Sequence, residues 1–577
     1  HLSMLTGLYP AGHGIHENGR VFGDDHPVLA GKLKDAGYRT GAFVSSFVLA
    51  RRFGTARGFD VYDDELDERG VERRAKATTD RAIAHLGGAA GPQFVWVHYF
   101  DPHTPYAPAE PFKSRHPDTP YLGEIEAMDA ELGRLVTAFE EAASRNGAHA
   151  AIIAAGDHGE GLGDHGEHQH GNLLYQSTMH VPLVIAGSGV SAGVNDTPVS
   201  IRRVYHTVLD LAGLGSEQSL RGSATETVLG EAMKPYLNYG WQPQIMAVQG
   251  TQKAIFAGKL ETYDLAADPG ELKNLGAGTS LPADMRKALD DYPIPSLGAD
   301  PTREGLSDEA RRNLASLGYV SGTATPVVRR DAPRPADMTA LFPVMDEASN
   351  LFVQGRYREV IPLLQKILAA DAHNLDAALR LATSYSSLGQ NGPALEAFKK
   401  AAAIAPKSDD VRLYLALHYT RTHDWPQAAP ILERIVAEQP QRVAALEGLA
   451  IVREKQGRLA DAVQLRQQVY GLRTPSPAEL IALGELAMEA GQTPAAIAAF
   501  ERARALQGSE FQNHIELGVL YLDERRLVEA RDALDRVPAS SHDYPMALFK
   551  RAQVSVLLNE PDAGERIRRA RERATPL

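Results

Sequence analysis

The chain contains no cysteine, which excludes disulfides, thiolate metal sites and a cysteine nucleophile within its 577 residues. The compartment stays open, because secreted proteins also fold without disulfides. Cationic excess is missing too. Sixty Lys and Arg face 73 Asp and Glu, a formal charge of −13. Non-specific binding to nucleic acid or anionic membrane relies on cationic patches, so no nucleic-acid partner is expected. No apolar run approaches the roughly 18 residues that a membrane-spanning helix needs. An initiator Met is also absent, and any signal peptide or anchor is expected to precede His1, so these residues say nothing of localisation.

What is present is ordinary in composition, 44% hydrophobic and 23% charged, but too long for one core. At roughly 150 residues per domain, three or four units are expected. Fifteen of the twenty histidines lie between His1 and His206, so chemistry is expected in that half. Helical and extended patterns alternate there: Val28–Gly37 then Tyr38–Val44, and Val71–Leu86 then Phe94–His98. A long helix over Tyr121–Asn146 carries Ile125, Met128, Leu132, Leu135, Val136 and Phe139 on one face, and Ala150–Ala155 reads as a fully buried strand. This βαβ grammar predicts an α/β domain with a largely parallel sheet flanked by helices. Gln244 to Tyr263 suggests a small hairpin subdomain, and Pro282–Pro335 a connecting segment with some local structure.

The second half repeats. Small residues recur every 34 positions at Ala348, Ala382, Ala416, Ala450, Gly484, Gly518 and Ala552, and a second register runs through Val360, Ala394, Ala428, Ala462, Ala496, Ala530 and Gly564. Small residues let two helices approach closely, and Gly355, Gly389, Gly457 and Gly491 fall in the turns between the registers. This resembles the tetratricopeptide repeat, and seven units account for Leu341 to the C-terminus as an all-α solenoid.

Two extended segments end in acid and imidazole. Ala150–Ala155 runs into Gly156-Asp157-His158-Gly159-Glu160, and Phe94–His98 runs into Tyr99-Phe100-Asp101-Pro102-His103. Ligands of open α/β sheets bind at the carboxyl ends of strands, so both Asp/His pairs are expected at one edge. Carboxylate and imidazole together suit a hard or borderline divalent cation. Glu167-His168-Gln169-His170-Gly171 adds two imidazoles on a loop, of which His168 is expected to be exposed. Asp164 and His165 read as loop residues, and His13, His16 and His116 as structural residues of Gly- or Pro-flanked turns.

His1-Leu-Ser-Met-Leu-Thr-Gly-Leu-Tyr-Pro10-Ala-Gly-His13-Gly, Asp101-Pro-His103-Thr-Pro, Gly156-Asp157-His158-Gly-Glu160 and His180-Val-Pro-Leu-Val-Ile stand in the order of the sulfatase family's signatures, over about residues 1–275. The chain therefore resembles a sulfatase of the alkaline phosphatase superfamily. The resemblance implies an alkaline phosphatase-like fold and a divalent cation, calcium or zinc/manganese, as cofactor. It matches Asp157 and His158 to metal ligands, and Asp101 is counted with them. It matches His103 to a histidine that contacts the ester, and His170 to a lysine or, in related phosphodiesterases, a metal-binding histidine. It also places the nucleophile four residues before His1, which stands where the family has Arg. The family's upstream strand, with further aspartate ligands, is expected there too, and the chain alone is expected to be inactive. Ala42 and Val44 stand where sulfatases carry Lys and His contacts to sulfate. Together with His1, they favour a branch that uses Ser or Thr on phosphate or phosphonate esters.

The expected organisation is an incomplete sulfatase-like domain over 1–275, a connecting segment over 276–340 and seven repeats over 341–577. The expected function is metal-dependent hydrolysis of a small-molecule or glycan sulfate or phosphate ester, with a protein partner on the repeats. The alternative is a catalytically inactive interaction scaffold. The family's habit is extracytoplasmic or membrane-attached.

Overall fold

The computed structural model describes residues 1–67, 70–87, 91–222, 225–297, 313 and 324–573. The chain divides into two compact units, His1–Val411 and Arg412–Leu577.

In the first unit, β1 (Arg39–Phe43) lies between β2 (Val61–Asp63) and β3 (Gln93–Val97), all parallel, with Gly41 opposite Val61 on one side and Val95 on the other. Helices α1 (Leu29–Asp35) and α2 (Ala75–Leu86) pack on this sheet, with α3 (Pro120–Arg145) against α2 and α4 (Arg203–Leu211) against α1. Leu29 and Leu33 of α1 are fully buried against Tyr205 of α4, each burial contributing about 1.5–3 kcal/mol. Gly41 is required by close approach: a Cβ there would lie 2.8 Å from Nε2 of His85 on α2. The expected apolar face of α3 is half-buried throughout.

The next strands run differently. β4 (Ala151–Ala155) pairs antiparallel with β5 (Leu183–Gly187), with Ala151 opposite Gly187. β4 is half-buried rather than fully buried, because β5 is its one partner among the described residues. A third sheet is an antiparallel meander of β6 (Val228–Ala232), β7 (Gln244–Gln249), β8 (Gln252–Phe256) and β9 (Leu260–Asp264). The expected hairpin is therefore part of a four-stranded sheet. β6 escaped the pattern because Gly230 interrupts its apolar run. A Cβ at Gly230 would meet the methyl groups of Met179 and Met246 at 2.7 and 2.8 Å. Of the expected connecting segment, Ala283–Asp290 is a helix that buries Met285 and Leu289 against this sheet, and residues 298–312 and 314–323 lie outside the described residues.

All-α structure follows. Helices Phe342–Val353, Tyr357–Ala370, Leu375–Ser387 and Asn391–Ile404 belong to the first unit. They are joined to its α/β part by Trp241 Nε1, which donates to Asp371 Oδ2 at 2.9 Å, and by Lys234 paired with Asp346 at 3.4 Å. The second unit contains five helix pairs or parts of pairs, from the helix ending at Arg421 to Ala563–Arg573. The small-residue registers are close helix contacts: a Cβ at Gly484 would lie 2.7 Å from the Phe500 ring, and one at Gly518 2.7 Å from Leu534. A further register becomes visible only in the backbone. Gly355, Gly389, Gly457 and Gly491 have φ between 68° and 74°, and His423, Arg525 and Asn559, at the same 34-residue phase, have φ of 63°, 59° and 54°. Every repeat thus ends its first helix on a left-handed residue, whatever the side chain.

Candidate active site

The cleft is assembled where β3 and β4 end. The backbone N–H of His98 still donates to Phe43 O, at 2.9 Å, so the ladder carries His98 to the sheet edge. Its Nδ1 accepts from Ser45 N–H at 3.3 Å, and burial lowers its pKa to about 4. The chain then turns through residues 101–107, fastened on both sides. Glu124 of α3, 2% exposed, accepts from the N–H groups of His103 (3.2 Å) and Ala107 (2.8 Å) and from Arg74 (3.2 Å). Asp101 accepts from Ala75 N–H at 2.9 Å, at the start of α2, and from Arg74 at 3.2 Å. This corrects the expectation for Asp101. Its carboxylate serves a helix N-terminus and an arginine, so it anchors the loop and is not presented to a cation.

That anchoring turns His103 inward. Its ring stacks on Phe100 at 4.1 Å and its Nδ1 donates to Thr104 O at 2.7 Å. Burial, reinforced by the neighbouring His170, lowers its pKa to about 4, so it is neutral at pH 7.

From β4, Asp157 and His158 follow directly. Asp157 Oδ1 accepts from His158 N–H at 3.0 Å, and His158 Nδ1 donates to Gly159 O at 2.9 Å. Gly159 permits this turn, since a Cβ there would sit 2.2 Å from Ser177 O. Asp157 Oδ2 faces two imidazole nitrogens, His1 Nε2 at 3.4 Å and His158 Nε2 at 3.5 Å. Burial alone would raise the Asp157 pKa, but the surrounding histidines, His158 foremost, hold it below the ordinary carboxylate range.

The third contribution is the loop after Glu160. Gly161 N–H donates to Gln169 O at 2.8 Å, which folds the loop back and sets His170 beside Glu160. The His170 ring stacks on His158 at 3.9 Å and meets His103 edge-on at 5.4 Å. His103, His158, Asp157 and His170 therefore share one cleft. Burial lowers the His170 pKa, with Glu160 opposing it. His168 is exposed. His165 stacks on Tyr175 at 3.6 Å, His16 pairs with Glu231 at 2.6 Å, His116 with Glu126 at 2.9 Å, and His13 is buried beside Ser3 at 3.2 Å.

Sequence reasoning missed three cleft residues. His98 read as the last strand residue, Glu160 stood inside the Gly156–Glu160 motif without a role, and Tyr106 carried no signal beyond its proximity to His103. Glu160, its side chain 4% exposed, accepts from Tyr106 OH at 3.0 Å and pairs with His170 Nδ1 at 3.2 Å.

The chemistry of Asp157 and His158 fits a divalent cation: a carboxylate oxygen and an imidazole nitrogen face one another. Among the described residues no group of three or more His, Asp or Glu is arranged to hold a metal ion.

Residues 2–214 match the sulfatase family model, and residues 345–409, 388–450 and 481–545 match tetratricopeptide repeat models. The chain thus carries a sulfatase-family domain followed by tetratricopeptide repeats. A choline-sulfatase of Rhizobium meliloti is 29% identical over 180 residues, 29% of this chain and 34% of the relative. Among solved structures, BT4656 in complex with its substrate D-glucosamine-2-N,6-O-disulfate is 17% identical with a TM-score of 0.42, covering 50% of this chain and 85% of that one. A phosphonate monoester hydrolase of Silicibacter pomeroyi is 18% identical with a TM-score of 0.40, covering 50% and 83%. The chain spans about a third of the length of the curated relatives it matches first.

Proposed function

We propose that the α/β part of this chain belongs to a metal-dependent hydrolase of sulfate or phosphate esters, of small-molecule or glycan origin, whose repeats bind a protein partner. The observation that carries this reading is the meeting of His103, Asp157, His158 and His170 in one cleft, delivered by three separate segments at two strand ends. An interaction scaffold has no use for such a concentration of half-buried polar groups, which cost stability wherever they are not paired.

In this proposal Asp157 and His158 hold the cation, which when bound would polarise an ester oxygen and lower the pKa of the nucleophile. By the family resemblance the nucleophile would come from polypeptide before His1. His103, neutral and with its Nδ1–H given to Thr104 O, offers an Nε2 electron pair. It becomes a proton donor to the ester only when the bound anion offsets burial and raises its pKa. In this reading His170 would contact the same group. Ala42 and Val44 are fully buried among Leu49 and Tyr62 and bring no cation to the cleft, which supports a phosphate ester over a sulfate.

Steady-state kinetics on matched aryl phosphate, phosphodiester and sulfate, with the segment before His1 present and calcium, manganese or zinc added, test the proposal. The phosphorus esters are expected to turn over at least as readily as the sulfate, and Asp157→Ala to lower either activity by about a hundredfold or more. Turnover of the sulfate alone overturns the phosphate preference, and activity untouched by Asp157→Ala overturns the site.

A further inference from the structure

Two imidazoles of the cleft have the position of one ring proton set by the backbone. Nδ1 of His103 lies 2.7 Å from Thr104 O, and Nδ1 of His158 lies 2.9 Å from Gly159 O. A carbonyl oxygen only accepts, so both Nδ1 atoms carry a proton, and in the neutral ring it is Nε2 that presents the electron pair. In each case the acceptor is the backbone of the very next residue, and no side chain is needed. His170 is different. Its Nδ1 faces a side chain, the Oε1 of Glu160, at 3.2 Å, while the other carboxylate oxygen accepts from Tyr106 OH at 3.0 Å.

We propose that Glu160 is the positioning residue of this cleft: it fixes His170 with its proton on Nδ1 and turns the Nε2 electron pair into the cleft, and Tyr106 holds the carboxylate in place. The opposite tautomer would set an unprotonated Nδ1 against a carboxylate oxygen at hydrogen-bond distance, two electron pairs facing each other in a largely water-free site. Both side chains are nearly enclosed, 12% exposed for His170 and 4% for Glu160, so water does not relieve that conflict. Three segments cooperate: Tyr106 comes from the loop after β3, Glu160 from the turn after β4, and His170 from the loop folded back by the Gly161–Gln169 bond. The ring stack on His158 leaves His170 little room to rotate. The consequence is that His103, His158 and His170, as neutral rings, all offer Nε2 as an electron-pair donor. What that pair does for His170 rests on the ester hydrolase reading, whereas its tautomer is a property of the chain without substrate.

The test reads the tautomer directly. In the chain labelled with 15N-histidine, long-range proton–nitrogen spectra at neutral pH distinguish the protonated ring nitrogen from the bare one, and His170→Gln identifies the His170 signals by their loss. The wild-type chain is expected to show Nδ1–H at His103, His158 and His170. Glu160→Ala is expected to shift the His170 ratio toward Nε2–H by about tenfold or more, the equilibrium change that follows loss of a buried charged hydrogen bond. His103 and His158 should be unmoved, since their acceptors are backbone carbonyls, and they report that the variant is folded. A wild-type His170 protonated on Nε2 overturns the proposal without any variant, and so does a Glu160→Ala chain whose His170 is unchanged. Absence of ester hydrolysis with the segment before His1 present, alongside the expected tautomer, sinks the hydrolase reading and leaves this one standing.

Discussion

At the residue scale, burial decides what each acid does. Asp157, beside several imidazoles, is held ionised, whereas Glu167 is 2% exposed and burial pushes its pKa up to about 7 although it accepts from Asn172 N–H at 2.7 Å. The sign follows from linkage. Between the ordinary glutamate value and about pH 7 the folded chain binds the proton that the unfolded chain has lost, so stability falls as pH rises through that window. The loss approaches about 3 kcal/mol by pH 8, at about 1.4 kcal/mol per pH unit. Glu167→Gln removes the titration and keeps an oxygen for Asn172. The expected outcome is a smaller gap in Tm between pH 5 and pH 8 for the variant than for the wild-type chain. Legibility at this scale was uneven. Asp157 and His158 were readable because they directly follow an apolar run. Asp101 looked equivalent, and only the approach of Arg74 and Ala75 N–H showed its carboxylate engaged elsewhere.

At the element scale, the repeats show periodicity in side chains and in backbone. The small-residue registers were visible in the sequence because helices crossing closely exclude anything larger, as Gly484 against Phe500 shows. The left-handed register was half hidden, because glycine marks it at Gly355, Gly389, Gly457 and Gly491 while His423, Arg525 and Asn559 take the same conformation at a steric cost. Arg525 is exposed, so replacing it forfeits little packing. Arg525→Gly is expected to raise stability by about 1 kcal/mol, and the converse Gly457→Ala to lower it by about 1–2 kcal/mol. Urea unfolding midpoints at unchanged m measure both. Strands were less legible than helices. β4 and β5 run antiparallel, a direction that depends on how residues 156–182 return and not on the strands' own residues.

At the scale of the whole molecule, two compact units predict two unfolding transitions, His1–Val411 and Arg412–Leu577 each carrying its own buried core. Two substitutions assign them. Lys253, fully buried, pairs with Glu271 at 2.6 Å, and Lys253→Met leaves that carboxylate without its cation, at about 3–5 kcal/mol. Ala428, also fully buried, lies in a core with Leu432 and Leu449, and Ala428→Tyr overpacks it by about 1–3 kcal/mol. In differential scanning calorimetry each variant is expected to move a different transition. A single transition displaced equally by both would show that the chain unfolds as one body.

The sequence by itself determined the class of each half. A 34-residue period in small residues admits little but stacked helix pairs, and apolar runs that end in acid and imidazole place polar groups at a sheet edge. Those properties are local or periodic, and the order of residues records them. The tertiary structure alone decided which acids are ionised, which imidazole nitrogen carries the proton, and which carboxylate is spent on anchoring a loop. Glu160 and His170 are ten positions apart, Asp101 and Arg74 are twenty-seven, and Glu124 and His103 twenty-one. Hydrogen bonds and desolvation act over a few ångströms through space, so their outcome depends on what folding brings to those distances and not on spacing along the chain.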